Sequence, residues 1–142
     1  MNIEEAIEKE HLKKITPDRE LMKKELEEAK YDLKKAKETL EKKDYKWSTI
    51  QSYYVMFHSA KSFLYSLGYR ENTHLGIIIV LEEQSLEGEL ESRYVNDYKA
   101  AKNARENADY NYSYSSEKAK YLVKTAEEFK KRIEEIVKKK EE

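Results

Sequence analysis

The most chemically distinctive stretch of the sequence is NARENADYNYSYSS, residues 103–116. It places an arginine and an aspartate before three alternating tyrosines, Tyr110, Tyr112 and Tyr114. A guanidinium can bind two phosphate oxygens at once, and a phenol ring can stack on a nucleotide base. Arg105, with Lys102 nearby and these phenols around it, therefore predicts a phosphate or nucleotide site.

The same stretch also has a structural interpretation. If the preceding helix continues through it, Arg105 and Asp109 lie one turn apart and can form an ordinary surface ion pair. The tyrosines would then pack between the ends of two helices. The stretch therefore predicts either a binding site that includes Asp109 or a clasp that ties helix ends together.

A second candidate stretch, WSTIQSYYVMFHSAKSFLYSLGY, runs from residue 47 to residue 69. At helical spacing, Tyr54, Phe57 and Lys61 lie on one side, and His58 follows Tyr54 by one turn. Aromatic side chains with hydroxyls at the rim are typical of a helix core. The functional alternative is that Tyr54 and His58 line the same cleft as Arg105.

Other site chemistries are not supported by the sequence. The pairs Glu8 with His11 and Glu71 with His74 have the Glu-x-x-His spacing of di-metal bundles. The first pair lies in a polar terminal segment, the second in an expected loop, and no Glu is expected on the apolar stripes of the long helices. With no Cys, no Gly-x-Ser-x-Gly and no glycine-rich phosphate loop, we expect neither a metal nor a cofactor.

Composition predicts one all-α domain over residues 1–142, because Lys, Glu, Leu and Ala dominate and only 3 Gly and 1 Pro occur. With 28 basic and 29 acidic residues the net charge is −1, so nucleic-acid binding would need a local patch. The absence of Cys, of a signal-peptide core and of an apolar run near 20 residues predicts a cytoplasmic protein without membrane association.

Periodicity predicts the helices that position these residues. An apolar stripe from Met22 to Leu40 follows a start signal in which Thr16 is the expected cap. The next helix has its apolar face from Trp47 to Leu67 and is expected to end at Gly68 in the left-handed conformation.

Three further helices are predicted after these two. A buried short helix is expected at 75–81, a longer one from about Glu89 to Asn107, and a last one from Ser115 or Ser116. Together the elements predict an antiparallel up-down bundle of four or five helices with its core at 18–137. Residues 1–14 are expected to form a charged, helical extension.

Three motifs, SYYVMFHSAKSFLYSLGY, NTHLGI and ARENADY, occur in an order that resembles the HEPN superfamily (higher eukaryotes and prokaryotes nucleotide-binding). The resemblance covers roughly residues 20–137 and is closest to the small stand-alone prokaryotic branch. It implies a four- or five-helix bundle. It also implies a homodimer that works with a minimal nucleotidyltransferase in a toxin–antitoxin type of pair.

The resemblance further implies a chemistry. Active HEPN proteins are metal-independent ribonucleases that use an Arg-x(4–6)-His motif at a dimer cleft. Arg105 matches the arginine, but positions 110–112 are Tyr, Asn and Tyr. Some HEPN toxins carry Tyr in place of His, and the partner enzyme can attach an adenylyl group to a tyrosine, which makes Tyr110 or Tyr112 the matching acceptor.

Three functions are therefore open at this point. The preferred one is a homodimer that binds nucleotide or RNA at Arg105, Asp109 and Tyr110. The second is an endoribonuclease in which Arg105 stabilises charge and Tyr110 or His58 replaces the histidine, although a phenol with a pKa of about 10 is a poor base. The third is a purely structural bundle.

Overall fold

The computed structural model describes residues 1–141, in which four long helices form the body of the protein. In chain order the elements are α1 Ile3–Glu8, β1 Leu12–Lys14, α2 Arg19–Glu41, α3 Tyr45–Leu67, β2 Tyr69–Glu71, α4 His74–Leu86, α5 Ser92–Tyr110 and α6 Ser116–Glu141. The predicted all-α helical bundle is confirmed, and a helix is present where the short apolar stretch predicted one. The small two-stranded sheet was not predicted.

The central element is α3, which packs against α2, α5 and α6 and is buried on most of its faces. Its fully buried side chains include Tyr53, Phe63 and Tyr65, each of which contributes about 1.5–3 kcal/mol through burial. The predicted apolar face was wrong at its first residue, because Trp47 is 49% exposed. The helix therefore forms the centre of the core, while its first turn leaves Trp47 exposed to solvent.

Capping side chains set the helix starts. The first long helix begins two residues later than predicted: Asp18, not Thr16, is its cap, and Oδ1 of Asp18 accepts a hydrogen bond from the Leu21 amide at 3.0 Å. At the other end of the next helix, Gly68 ends α3 with φ of 88°, as predicted.

The N-terminal segment docks on the bundle through the sheet and α4. The strands β1 and β2 are antiparallel, with Leu12 opposite Glu71, and Ala6 and Leu12 are buried. A Cβ atom at Gly76 would lie 2.2 Å from the carbonyl oxygen of His11, so only glycine allows this approach. The segment predicted as a loop around Glu71 is therefore a strand, and α4 begins at His74.

The helix that carries the tyrosine-rich motif continues to Tyr110 instead of ending at Asn107. Arg105 and Asp109 therefore lie one turn apart on the same helix, and residues 111–115 alone connect α5 to α6. Within residues 1–141, no helix is both long enough and apolar enough to span a bilayer.

Candidate functional site

Arg105 lies in a cage of tyrosine rings between α3 and α5. Its Nη2 donates to the Tyr54 hydroxyl at 3.2 Å and lies 3.2 Å from Oδ2 of Asp109. Its guanidinium carbon is 5.4 Å from the centre of the Tyr110 ring, 5.6 Å from that of Tyr54 and 6.0 Å from that of Tyr53. These five residues form what we call the Arg105 cluster.

The cage keeps the guanidinium charged and leaves part of it available. Burial opposes the charge of Arg105, but Tyr54, Tyr110 and Asp109 outweigh that effect and raise its pKa. Both polar contacts use Nη2, and Nε is buried without a hydrogen-bond partner among residues 1–141. An anion that binds here must therefore contact Nη1 or compete with the carboxylate for Nη2.

His74 and Lys102 lie at the border of this cluster on the α4 side. Nδ1 of His74 is 2.8 Å from the Tyr53 hydroxyl, and its ring stacks on Phe57 at 5.5 Å. Burial, together with the charges of Lys102 and Arg105, lowers the pKa of His74. The imidazole is therefore exposed, oriented and neutral at pH 7.

Exposed aromatic side chains continue from the cluster along the α5–α6 connection. Tyr110 is 64% exposed and Tyr112 is 76% exposed. The Lys46 ammonium lies 5.5 Å from the Tyr112 ring and 5.9 Å from the Trp47 ring. We call Trp47, Tyr112 and Tyr114 the aromatic surface. A pocket beside it is lined by residues that include Thr49, Ala104, Tyr114 and Lys118.

The ring of His58 lies 6.4 Å from the Tyr54 ring of the Arg105 cluster, but its two nitrogens face carboxylates between α2 and α3. Nδ1 of His58 is 2.5 Å from Oε2 of Glu25, and Nε2 is 3.5 Å from Oδ2 of Asp32. Lys61 lies 3.3 Å from Glu25 and 3.8 Å from Glu71. We call His58, Glu25, Asp32, Lys61 and Glu71 the charge cluster.

The charge cluster corrects one expectation from the sequence. Glu25 and Asp32 face α3 with 16% and 19% of their side chains exposed, so the prediction that no Glu accompanies the apolar stripes was wrong. No group of three or more His, Asp or Glu side chains in the described chain is arranged to hold a metal ion. In this cluster the carboxylates contact Lys61 and His58 instead.

Comparison with known proteins identifies the fold on which both clusters lie. The family model of the HEPN domain matches residues 22–136, which run from the first turn of α2 to near the end of α6. The chain belongs to the HEPN family. No curated protein matches it. HEPN domains are nucleotide-binding or ribonuclease-like, and they commonly dimerise and bind nucleic acid.

The HEPN match includes the whole Arg105 cluster and leaves α1 and β1 outside the matched range. Of the residues chosen from the sequence, the structure brings Arg105, Asp109, Tyr110 and Tyr54 into contact. Lys102 lies one turn before Glu106 and forms an ion pair with it. The remaining two, Tyr112 and His58, lie on the aromatic surface and in the charge cluster.

Sequence reasoning considered His74 only as half of a Glu-x-x-His pair and missed its place beside the Arg105 cluster. The signal was available in the motif NTHLGI, which was part of the resemblance. The link that brings His74 to the cluster is the hydroxyl of Tyr53, a residue 21 positions earlier. No spacing rule relates two residues on helices that meet only after folding.

Proposed function

We propose that this HEPN protein is a homodimer that binds nucleotide or RNA, with phosphate at Arg105 and Lys102 and bases on Tyr110 and Tyr112. The observation that supports this most directly is the position of Arg105 between Tyr54 and the exposed ring of Tyr110. Arg105 and Tyr110 therefore lie close enough for one nucleotide to contact both, with its phosphate on the guanidinium and its base on the phenol ring.

Electrostatics define the kind of binding to expect. The net charge of −1 provides no general attraction for nucleic acid. Asp109 and Glu106 neutralise Arg105 and Lys102 in the free protein, so a phosphate must contact Nη1 of Arg105 or displace a carboxylate to bind. We therefore expect moderate affinity that falls steeply as salt rises, because each phosphate contact releases counterions.

The proposal includes two protein partners. The first is a second copy of this chain, because dimerisation is common among HEPN domains. A minimal nucleotidyltransferase is the partner that the resemblance implies, in a toxin–antitoxin type of pair. In that pair Tyr110 and Tyr112 are the acceptors we propose for an adenylyl group, and the exposure of both phenols is compatible with this role.

Fluorescence-anisotropy titration of labelled single-stranded RNA and labelled ATP tests the binding proposal. Arg105→Ala is expected to weaken binding about 10-fold, which corresponds to about 1.4 kcal/mol. Arg93→Ala is the matched control, because Arg93 lies on the same helix, 4.6 Å from the Tyr94 ring and 2.9 Å from Glu128. The control is expected to bind like the wild type.

Each result has a definite meaning. An equal loss in the two variants would indicate general electrostatics and would contradict a site at Arg105. Absence of binding by the wild type, together with lower stability of Arg105→Ala, would favour the purely structural bundle. Sedimentation velocity of the same samples, with and without RNA, tests the homodimer independently.

A further inference from the structure

The strand β1 lies outside the part of the chain that matches the HEPN family, because the match begins at residue 22. Within residues 1–141 the sheet contains only β1 and β2, so β1 has one free edge. Neither the Arg105 cluster nor the charge cluster includes a residue of this strand. The N-terminal segment therefore adds a sheet edge to the helical fold, and the proposed binding role does not use that edge.

The register of the sheet shows which backbone groups of β1 are free. The Asn72 amide donates to the carbonyl oxygen of His11 at 2.9 Å, next to the opposed pair Leu12 and Glu71. Hydrogen-bonded and non-bonded pairs alternate along an antiparallel ladder. The N–H and C=O groups of Leu12 and Lys14 therefore point away from β2, and none of them has a hydrogen-bond partner within residues 1–141.

The core holds this edge in a fixed position. The Leu12 side chain is 1% exposed, and just after the strand the Ile15 amide donates to the carbonyl oxygen of Gly68 at 2.9 Å. Before the strand, the carbonyl group of His11 lies against Gly76. An edge that is already ordered loses little conformational entropy when a partner binds to it.

The side chains around the edge are basic. Lys13 lies directly opposite Arg70, so both cations point to the same face of the sheet, where like charges repel. Both residues and the neighbouring Lys14 are exposed. Within residues 1–141 no carboxylate forms an ion pair with any of the three. This group of unpaired cations favours a negatively charged partner.

A groove beside β1 combines apolar and charged side chains. It is lined by Ile7, Glu10, Leu12, Lys13, Lys14 and Asn72. Successive side chains of an extended strand point to opposite faces. The mixed lining therefore favours a strand in which acidic side chains alternate with apolar ones.

We propose that the free edge of β1 binds an extended acidic segment of a protein partner, which joins the sheet as a third strand. The backbone of the segment forms hydrogen bonds with Leu12 and Lys14, and its carboxylates contact Lys13 and Lys14. This interaction is separate from the binding of nucleotide or RNA at Arg105 and does not depend on it.

Two other occupants match the edge less well. The phosphates of a nucleic acid supply acceptors for the free N–H groups but no donors for the carbonyl oxygens of Leu12 and Lys14. A second copy of this chain, with β1 antiparallel to β1, would bring Lys13 of the two copies opposite each other. Lysines at a free edge thus disfavour self-pairing and favour an acidic strand.

Fluorescence anisotropy of a short labelled peptide tests the proposal on the full chain at near-physiological salt. Glutamate alternates with valine in this peptide, because valine favours strands. The wild type is expected to bind it saturably, and to bind a peptide with lysine in place of glutamate at least about 10-fold more weakly. N-methylation of all backbone amides of the acidic peptide keeps every charge and removes the donors, so affinity is expected to fall about 5-fold.

Protein variants separate charge from backbone pairing. Lys13→Glu is expected to weaken binding of the acidic peptide about 10-fold, whereas Lys34→Glu, at an exposed lysine of α2, is the matched control and is expected to bind like the wild type. Lys14→Pro removes an outward N–H at a position where an edge strand tolerates proline. It is expected to bind about 5-fold more weakly than Lys14→Ala, which loses the same charge and keeps the N–H.

Each outcome supports or overturns the proposal. Absence of saturable binding by the wild type, or equal losses in Lys13→Glu and Lys34→Glu, would overturn it. An N-methylated peptide that binds like its parent would exclude the added strand, whatever the stability of Lys14→Pro. Displacement of the peptide by single-stranded RNA, with RNA affinity lost in Lys13→Glu, would make this edge a nucleic-acid surface instead. Arg105→Ala is expected to keep full affinity for the peptide, which distinguishes this proposal from the RNA site.

Discussion

Two polar clusters flank the same two turns of α3 and differ in how their charges are used. In the charge cluster, His58 and Lys61 face three carboxylates, and every side chain is 12–20% exposed. In the Arg105 cluster, Arg105 faces one carboxylate and three phenols, and Tyr110 is 64% exposed. The side chains of the first cluster are paired with one another and mostly buried, whereas the second leaves the Tyr110 ring exposed beside Arg105.

His58 and His74 differ in the same way in the contacts of their rings. Both rings contact Phe57, at centroid distances of 5.3 Å and 5.5 Å. Only His74 has a single hydrogen-bond contact, to a hydroxyl, and an exposed ring. The partners of the ring nitrogens therefore distinguish the two histidines, and the sequence does not reveal those partners.

The largest expected effect on stability comes from replacing His58. His58→Ala leaves Asp32 without its partner in a site that is 19% exposed, and we expect a loss of about 2–3 kcal/mol of unfolding free energy. Arg105→Ala is expected to cost only about 1 kcal/mol, the value of cation–π contacts and one partly exposed ion pair. Urea unfolding measures both.

RNA binding should rank these two variants in the opposite order. His58→Ala, measured below its unfolding transition, is expected to bind RNA like the wild type. If His58→Ala lost affinity and Arg105→Ala did not, the assignment of the two clusters would be reversed.

The sequence predicted the elements better than it predicted the contacts. Helix positions follow from periodicity within one segment, so α2, α3, α4 and α6 lay close to where they were expected. The strands β1 and β2 have three residues each and pair across 55 to 59 positions, from Lys14 opposite Tyr69 to Leu12 opposite Glu71. A local pattern cannot show a pairing over that separation.

For the site, local rules placed Arg105 next to Asp109, because both lie on one helix. They did not reveal the partners of Glu25, which lies beside the apolar stripe of α2 and meets His58 only when the helices pack. His74 was missed for the same reason, since Tyr53 reaches it from another helix. Contacts between elements depend on how the helices pack, which a local pattern in one sequence does not show.

The next largest effect concerns the acid stability of the charge cluster. Burial alone would raise the pKa of Glu25, but the hydrogen bond with His58 and the charge of Lys61 outweigh it and lower that pKa below 4.5. A carboxyl whose pKa is lower in the folded state stabilises the fold above its unfolded pKa, and this stability is lost as pH falls through the folded pKa.

Glu25→Gln is therefore expected to lose about 1–2 kcal/mol at pH 7 and to show less acid sensitivity below pH 4.5. Thermal unfolding of the two proteins between neutral and acidic pH checks this, with curves that converge at low pH. Parallel curves would contradict the assigned role of the carboxylate.

A smaller effect, on RNA affinity, is expected at the aromatic surface. Tyr112 has φ of 53°, a conformation that asparagine tolerates, so Tyr112→Asn removes the ring without straining the backbone. We expect RNA affinity to fall about 5-fold, or about 1 kcal/mol, through lost stacking. Tyr31→Asn is the control, because Lys35 lies 5.5 Å from the exposed Tyr31 ring as Lys46 does from Tyr112. Equal losses would indicate that stacking is not specific to the aromatic surface.

The smallest expected effect on stability is that of Glu71→Gln, and its sign is opposite to that of Glu25→Gln. Burial raises the pKa of Glu71, and the charges of Lys61 and Arg70 only partly offset it. A carboxyl whose pKa is higher in the folded state destabilises the fold when ionised, so Glu71→Gln is expected to be as stable as the wild type at pH 7, or more stable by up to about 0.5 kcal/mol. Urea unfolding at pH 7 and at pH 4.5 should show the variant losing this advantage as the wild-type carboxyl becomes protonated. A clear loss of unfolding free energy in Glu71→Gln at pH 7 would mean that the ion pair with Lys61 outweighs the cost of burying Glu71.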